Sequence, residues 1–224
     1  RRLDREILSE TFTIGLPALG TTFVSCFGYI AFARMVSGMG TTIFAAHSIA
    51  ITAEQIVYIP GYGLRVATST LVGHALGEKD IRKLKATERV SILITLLIMV
   101  VNGIGLYLFA YPFMRLFTNS VNAARIGSEM LRLVSFSEPF FGLMIVLEGI
   151  SYGMGRTKHV FACEAVSMWG IRIFGTFLCV NVFGLGLKAV WLCMIADNIC
   201  KAILLYIFRP KHVEENADDR GELR

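Results

Sequence analysis

The chain has 224 residues, of which 54% are apolar and 17% are charged, and its mean hydropathy is +0.61. Soluble proteins average roughly 45–50% apolar and about 25% charged residues, so the composition excludes an ordinary soluble domain and indicates a membrane protein. The net charge of +5 does not predict a nucleic-acid partner, because the basic residues cluster in short connectors rather than along one polar face.

Six apolar segments follow one another along the chain, at about 11–33, 43–71, 90–113, 133–153, 161–183 and 189–208. The first and third contain no Asp, Glu, Lys or Arg, and about 20 apolar residues in a helix are enough to cross the hydrocarbon core. The first is longer than the apolar part of a signal peptide and is followed by more apolar sequence. The sequence therefore predicts an all-α membrane protein, with a six-helix transmembrane bundle over 1–210 and a polar cytoplasmic tail over 211–224.

The distribution of Lys and Arg predicts the orientation of this bundle. Most of them lie at the two ends of the chain and in the connectors after the second and fourth segments, while the alternate connectors carry few. Positive charge accumulates on the cytoplasmic side of a membrane. We therefore expect a multi-pass protein of the cell (plasma or inner) membrane, with both ends of the chain in the cytoplasm.

The second segment places ionisable residues where they are costly. Glu54 and Arg65 lie on nearly the same face of a helix with about 3.6 residues per turn, and Tyr58 and Tyr62 are nearby. A charged side chain at the bilayer centre costs at least about 2.5–3.5 kcal/mol, so each one needs a partner, water or a function. This face is therefore expected to be wet or covered by protein, and its four residues are candidates for binding an ion or a substrate.

A helix bend is expected in the same segment. Pro60 removes a backbone donor, and Gly61 and Gly63 relax the helix around it. Carbonyl groups freed by a bend are tolerated in a membrane only where they line a cavity or are buried in protein. We expect these three residues to line an aqueous pocket. The alternative is a bend needed only for packing, with Glu54 neutralised by a hydrogen bond.

Further ionisable residues lie in the fourth and sixth segments. Glu138, beside Pro139, is expected near the membrane boundary as an ordinary interfacial acid, whereas Glu148 is flanked by apolar residues and is a further candidate for ion or substrate binding. Asp197 and Lys201 are four residues apart with the acid first, which predicts an ion pair within one helix. This pair is expected to neutralise itself rather than to bind a substrate.

No catalytic or metal-binding pattern is visible in the sequence. The five cysteines lie in apolar segments without a CxxC spacing, which predicts small buried apolar residues rather than metal ligands or disulfides. There is also no HExxH, no GxSxG and no phosphate-binding loop. We therefore expect neither an enzyme, nor a bound metal, nor a cofactor.

Several blocks of sequence, taken in order, resemble the multidrug and toxic compound extrusion (MATE) transporters. They are AAHSIA at 45–50, IPGYG at 59–63, ATSTLVGHALGEKD at 67–80, SEPFFGLMIVLEGISYGMGRTK at 137–158, SMWGIRI at 167–173 and GLGLKAVW at 184–191. Transporters of this family have two similar lobes of six helices, and these blocks resemble the second, carboxy-terminal lobe. The chain, which begins with Arg1, is therefore expected to be a fragment or a separately determined part, whose partner is an amino-terminal six-helix lobe.

The resemblance also implies a function, because the family exports organic cations and drugs in exchange for Na⁺ or H⁺. By resemblance, Glu54 would bind the exchangeable cation, Pro60 and Gly61 would shape the cavity wall, and Arg65 would be a partner or a gate near the cytoplasmic mouth. Amphipathic cationic small molecules and the lipid bilayer are the implied partners. The sequence departs from the family in two places. Segment 11–33 has no acid where some members place a cation-binding one, and Arg156 stands where the family often has Asp.

Two other functions stay open. A flippase for a lipid-linked substrate would depend on Arg34, Arg65 and Arg172, which could hold phosphate, more than on the acids. A non-transporting membrane module that pairs with a partner chain would need neither set of residues. Replacing the acids and the arginines separately in the two-lobe protein distinguishes the exporter from the flippase.

Overall fold

The computed structural model describes the backbone of residues 5–208 and the side chains of residue 9 and of residues 11–208. The expected polar tail, 211–224, lies outside the described residues. The helices are α1 (Arg5–Ser37), α2 (Thr41–Gly77), α3 (Ile81–Arg115), α4 (Val121–Ser135), α5 (Glu138–Gly153), α6 (Thr157–Ser167), α7 (Phe174–Phe177) and α8 (Leu187–Ile207). Two π-helical segments, Met168–Ile173 and Leu178–Val182, continue α6 and α7 into one helical stretch.

The described part of the chain has the composition and helix lengths of a membrane bundle. Five helices are long and apolar enough to cross a membrane, namely Thr11–Ser37 within α1, α2, α3, Thr157–Val182 and α8, and the bent pair of α4 and α5 makes a sixth if it forms one span. No strand occurs between residues 5 and 208. The expected all-α bundle is thereby confirmed.

The fourth span differs in shape from the straight segment expected at 133–153. A helix already begins at Val121, ends at Ser135, and meets α5 at an angle of 61°. The cause is Pro139, which lies in the first turn of α5, where its missing N–H costs no hydrogen bond and where the preceding helix cannot continue. Arg125 and Arg132, which were expected in a connector, therefore lie on α4.

Small residues bring α2 and α5 into close contact. A Cβ atom added at Gly149 would lie 2.7 Å from the carbonyl oxygen of Arg65, and one added at Gly153 would lie 2.5 Å from the carbonyl oxygen of Ser69. Both distances are shorter than any real contact of this kind, so a side chain at either glycine would force the helices apart. Small residues at this spacing are what allows membrane helices to approach closely.

Large apolar side chains remain exposed on the outside of the bundle. On α1 they include Phe12, Leu16 and Phe23, each more than half exposed, and α3 has a similar row. In water such surfaces would promote association. In a membrane protein they are ordinary, because lipid or another helix covers them, and the polar residues are found inside instead.

Candidate functional site

Three ion pairs inside the bundle each join two different helical segments. They are Arg65 to Glu148 at 3.1 Å, Arg172 to Asp197 at 2.8 Å and Lys201 to Glu164 at 2.5 Å, measured from nitrogen to oxygen. The last two pairs are almost completely buried, whereas a third of the Arg65 side chain is exposed. A buried charge requires such a partner, because an isolated ion in a medium of low dielectric is strongly disfavoured.

The ion pair expected within α8 forms differently. Lys201 contacts Glu164 of α6, and Asp197 contacts Arg172 of the π-helical segment and accepts a hydrogen bond from the Ser167 hydroxyl. The four-residue spacing indicated that Asp197 and Lys201 both need a partner of opposite charge. The helical stretch beside α8 supplies these partners, because it carries both Glu164 and Arg172. Cross-helix pairing satisfies all four charges at once. Glu164 and Ser167 were missed by the sequence reasoning.

Glu54 lies outside these three pairs. Its side chain is 3% exposed, and its Oε1 accepts a hydrogen bond of 2.5 Å from the Tyr58 hydroxyl, one helical turn further along α2. The Tyr58 ring is stacked on Phe141 of α5, with ring centroids 3.7 Å apart and planes 13° from parallel. This stack holds the hydroxyl that contacts the acid.

Glu138 is completely buried, which contradicts its expected place at the membrane boundary. Its exposed fraction is 0%, and neither carboxyl oxygen has a hydrogen-bond partner among the described residues. The bend between α4 and α5 turns this first residue of α5 into the bundle. Gly103 of α3 leaves the room for it, since an added Cβ there would lie 3.2 Å from the Cβ of Glu138 and 2.7 Å from the Ser135 carbonyl oxygen.

The helix register places Glu54 and Glu138 at the same level of the bundle. Contacts between α2 and α5 advance in the same direction along both helices, from Tyr58 with Phe141, to Arg65 with Glu148, to Ser69 with Gly153. Glu54 lies about one turn before Tyr58, and Glu138 lies about one turn before Phe141. The two carboxyl groups are therefore at the same level of two parallel helices, and we call them the acid pair.

The other predicted binding residues lie further along the same two helices, Tyr62 and Arg65 on α2 and Glu148 on α5. The Arg65 guanidinium is 5.3 Å from the centre of the Tyr62 ring and pairs with Glu148. Tyr62 is 41% exposed and contacts Phe141 edge-on, with ring centroids 6.1 Å apart. The structure thus divides the predicted set into a buried group, Glu54 with Tyr58, and a more accessible group around Arg65.

The three residues expected at a bend have different surroundings. Pro60 lies in a helix that is continuous from Thr41 to Gly77, and one turn before it the Val57 carbonyl accepts a hydrogen bond of 3.1 Å from the Asn102 side chain of α3. Gly61 is buried against α3 and α5, whereas Gly63 has nothing within 4 Å of an added Cβ. The side-chain amide from α3 compensates part of the weakened backbone bonding.

A groove of about 420 Å³ borders Pro60. It lies between α2 and α3, and its wall consists of Ile56, Val57, Pro60, Val101, Asn102, Gly105, Leu106, Phe109 and Phe113. Asn102 supplies the only polar side chain in this described wall. Pro60 therefore borders an apolar groove, while Gly61, about 100° further round the helix, packs against Met99, Phe141 and Ile145. Among the described residues no group of three or more His, Cys, Asp or Glu side chains could hold a metal ion.

Comparison with known proteins shows the family to which the chain belongs. A family model described as MatE matches residues 17–178. The chain belongs to the MatE family. Similar proteins include a probable multidrug resistance protein NorM of Thermotoga maritima, 29% identical over 89% of this chain and 43% of the relative, and the probable multidrug resistance protein YoeA of Bacillus subtilis, 22% identical over 92% and 44%.

Solved structures of MatE-type transporters share the fold. A MATE protein in a bent conformation superposes with a TM-score of 0.89 at 19% identity, over 98% of this chain and 48% of that one. A transporter of the MOP superfamily from Pyrococcus furiosus gives 0.86 at 21% identity, over 95% and 48%. The chain therefore spans about half the length of the proteins it matches, and it has the fold of one lobe.

Proposed function

We propose that this chain is one lobe of a secondary active exporter, which moves organic cations or drugs out of the cell in exchange for Na⁺ or H⁺, and that the acid pair is an exchange site for the cation. The relatives named as multidrug resistance proteins support the transport part of the proposal. The observation that carries the site is the absence, among the described residues, of a basic partner in contact with Glu54 or Glu138.

The neutral and ionised forms of the acid pair differ greatly in free energy. Two buried carboxylates at the same level repel one another and lose their hydration, so the pair needs a bound cation or proton when the site is closed. Glu148, Glu164 and Asp197 are already neutralised by bases on neighbouring helices. At the acid pair a cation can be gained or lost without breaking any of these three ion pairs.

Aromatic rings near the acid pair suit a cationic substrate. Tyr58, Phe141 and Tyr62 form a continuous group of stacked and edge-on rings beside Glu54, and ring faces attract cations by about 0.5–2 kcal/mol. A substrate cation near these rings would compete with the coupling cation for the carboxylates. Arg65, which is partly exposed at the next level, would act as a partner of Glu148 or as a gate.

The remaining parts of the proposal concern the whole transporter. An amino-terminal lobe of similar size would complete the cavity, consistent with the roughly half-length coverage of the matched proteins. The distribution of basic residues supports a cell membrane location with both ends of this chain in the cytoplasm. The alternative flippase has less support, because Arg65 and Arg172 are both engaged by acids.

The test is efflux of a fluorescent organic cation by the two-lobe protein in proteoliposomes, with imposed Na⁺ or H⁺ gradients. Glu54→Gln and Glu138→Gln are each expected to abolish the dependence of efflux on the gradient. Glu129→Gln is the matched control, since Glu129 is an exposed acid paired with Lys188. Unchanged gradient dependence in both acid-pair variants would refute the site, while loss of efflux in Arg65→Ala and Arg172→Ala alone would favour the flippase.

A further inference from the structure

Two cysteine thiols are in contact near one end of the bundle. Sγ of Cys179, in the Leu178–Val182 segment, lies 3.7 Å from Sγ of Cys193 in α8. Both residues are half-buried, whereas Cys163 is buried in the core. Neither sulfur belongs to the acid pair or to the three ion pairs, so a role for these thiols does not depend on the proposed function.

Gly175 explains why the two segments approach so closely at this point. It lies one turn before Cys179, and a Cβ added to it would be 3.3 Å from Sγ of Cys193. The connector after Cys179 closes back on the same residue, because the Leu185 N–H donates a hydrogen bond of 2.7 Å to the Cys179 carbonyl. Gly184 in that connector has φ of +61°, a conformation that glycine adopts without strain.

Two of the buried ion pairs join the same two helical segments as the cysteines. Arg172 pairs with Asp197, seven residues before Cys179 and four residues after Cys193, and Glu164 pairs with Lys201 further along both segments. These contacts advance in opposite directions along the two segments, so the segments run antiparallel. The thiol contact lies at the end of a line of contacts that includes two buried ion pairs.

We propose that Cys179 and Cys193 form a reversible disulfide site, which is oxidised by thiol–disulfide exchange with a disulfide-bearing oxidant. A disulfide has a sulfur–sulfur distance of about 2.05 Å, so the two sulfurs must approach one another by about 1.7 Å, a movement that rotation of two side chains can supply. The sequence predicted that all five cysteines are small apolar residues, and this proposal assigns a further role to two of them.

The thiol–disulfide exchange has two steps, in which atoms and electrons balance. The thiolate of one cysteine attacks a sulfur of the oxidant's disulfide, which forms a mixed disulfide and expels one thiolate of the oxidant. The second cysteine, as a thiolate, then attacks the protein sulfur of the mixed disulfide and expels the other thiolate. The two protein thiols lose two protons and two electrons, and the oxidant is reduced to two thiols, which take up the protons.

Oxidation at this site would join the end of the Thr157–Val182 span to α8. The cysteines are 14 positions apart in sequence, and a cross-link that closes a loop of this size restricts the unfolded chain. The oxidised protein is therefore expected to have a higher Tm than the reduced protein. It would also be unable to separate these two segments at this end of the bundle.

The test is a thiol count on the intact, purified protein. The reduced protein is incubated with oxidised glutathione, alkylated under denaturing conditions and mapped by peptide mass spectrometry. The expected result is loss of alkylation at Cys179 and Cys193 alone, a cross-linked peptide that contains both, and full recovery on treatment with dithiothreitol. Cys193→Ser is expected to keep glutathione attached to Cys179, because the resolving thiol is missing.

A control variant and the wild-type thiol count test the proposed disulfide further. Cys26, which is exposed on α1, has no thiol near it on a described residue, so Cys26→Ser is expected to leave the Cys179–Cys193 cross-link unchanged. Full alkylation of both cysteines in the folded wild-type protein after oxidation would overturn the proposal, as would a cross-link of either one to Cys26 or Cys200. The thiol count on the wild-type protein does not depend on whether any variant folds.

Discussion

Replacing Arg172 by Met removes the base from the most deeply buried ion pair of the bundle. The Arg172 side chain is 5% exposed and Asp197 is 0% exposed, with 2.8 Å between Nε and Oδ2. The variant leaves the Asp197 carboxylate with the Ser167 hydroxyl as its remaining described donor. Breaking a buried pair in this way typically costs about 3–5 kcal/mol.

The arginine also contacts two aromatic rings. Its guanidinium carbon lies 5.4 Å from the centre of the Tyr29 ring and 5.9 Å from that of Phe32, and a desolvated cation–ring contact is worth about 2 kcal/mol or more. Part of this attraction is lost with the charge, while the Met chain retains apolar contact. We therefore expect Arg172→Met to lower the free energy of unfolding by about 4 kcal/mol, near the middle of the range for a broken buried pair.

The assay is reversible unfolding of the purified protein in mixed micelles, followed by circular dichroism as the fraction of denaturing detergent rises. Lys188→Met is the matched control, because Lys188 and Glu129 form a pair of similar length, 3.0 Å, at 70% and 47% side-chain exposure, and exposed pairs contribute about 0–1 kcal/mol. The double variant Arg172→Met with Asp197→Asn is expected to be more stable than Arg172→Met alone. A loss below about 1 kcal/mol in Arg172→Met, equal to that of the control, would refute the reasoning.

Two further substitutions test the packing of α2 against its neighbours α5 and α3. Gly153→Ala is expected to reduce the folded yield sharply, because its Cβ would lie 2.5 Å from the Ser69 carbonyl oxygen, whereas Gly105→Ala, with nothing within 4 Å, should be tolerated; equal yields by size-exclusion chromatography would contradict the close helix contact. Asn102→Leu is expected to lower the free energy of unfolding by about 0.6 kcal/mol, the average for a hydrogen bond between membrane helices, because the Val57 carbonyl loses its donor. The same micelle titration measures this change, and a gain in stability would show that the amide does not support the helix at Pro60.

The sequence predicted the bundle because long apolar segments have few alternatives. In lipid every backbone polar group must be satisfied within the segment, so a stretch such as 90–113 can only be a helix. The family resemblance, carried by blocks such as IPGYG and SMWGIRI, added the division into lobes. The bend between α4 and α5 was not foreseen, since hydropathy does not distinguish a straight span from two shorter helices joined at Pro139.

Partner choice among the buried charges was harder to predict. Local spacing favoured Asp197 with Lys201, but a nearby helix offered each of them a better contact. Glu138 looked interfacial because it precedes a proline, and only the three-dimensional register of α2 and α5 places it at the level of Glu54. The sequence left open whether the face of Glu54 is wet or covered by protein, and the structure buries this acid. Glu138, at the same level of α5, is 84 residues away, beyond any periodicity argument.

The two ion pairs between the Thr157–Val182 span and α8 also affect how the last part of the chain enters the bilayer. The Thr157–Val182 span carries Glu164 and Arg172, and α8 carries Asp197 and Lys201, so each would enter lipid alone with one acid and one base facing hydrocarbon. At about 2.5–3.5 kcal/mol for each charge, neither span is favoured to partition by itself. Their charges are complementary and their register is antiparallel, which favours entry of the two spans together as a helical hairpin, already paired before it leaves the insertion machinery.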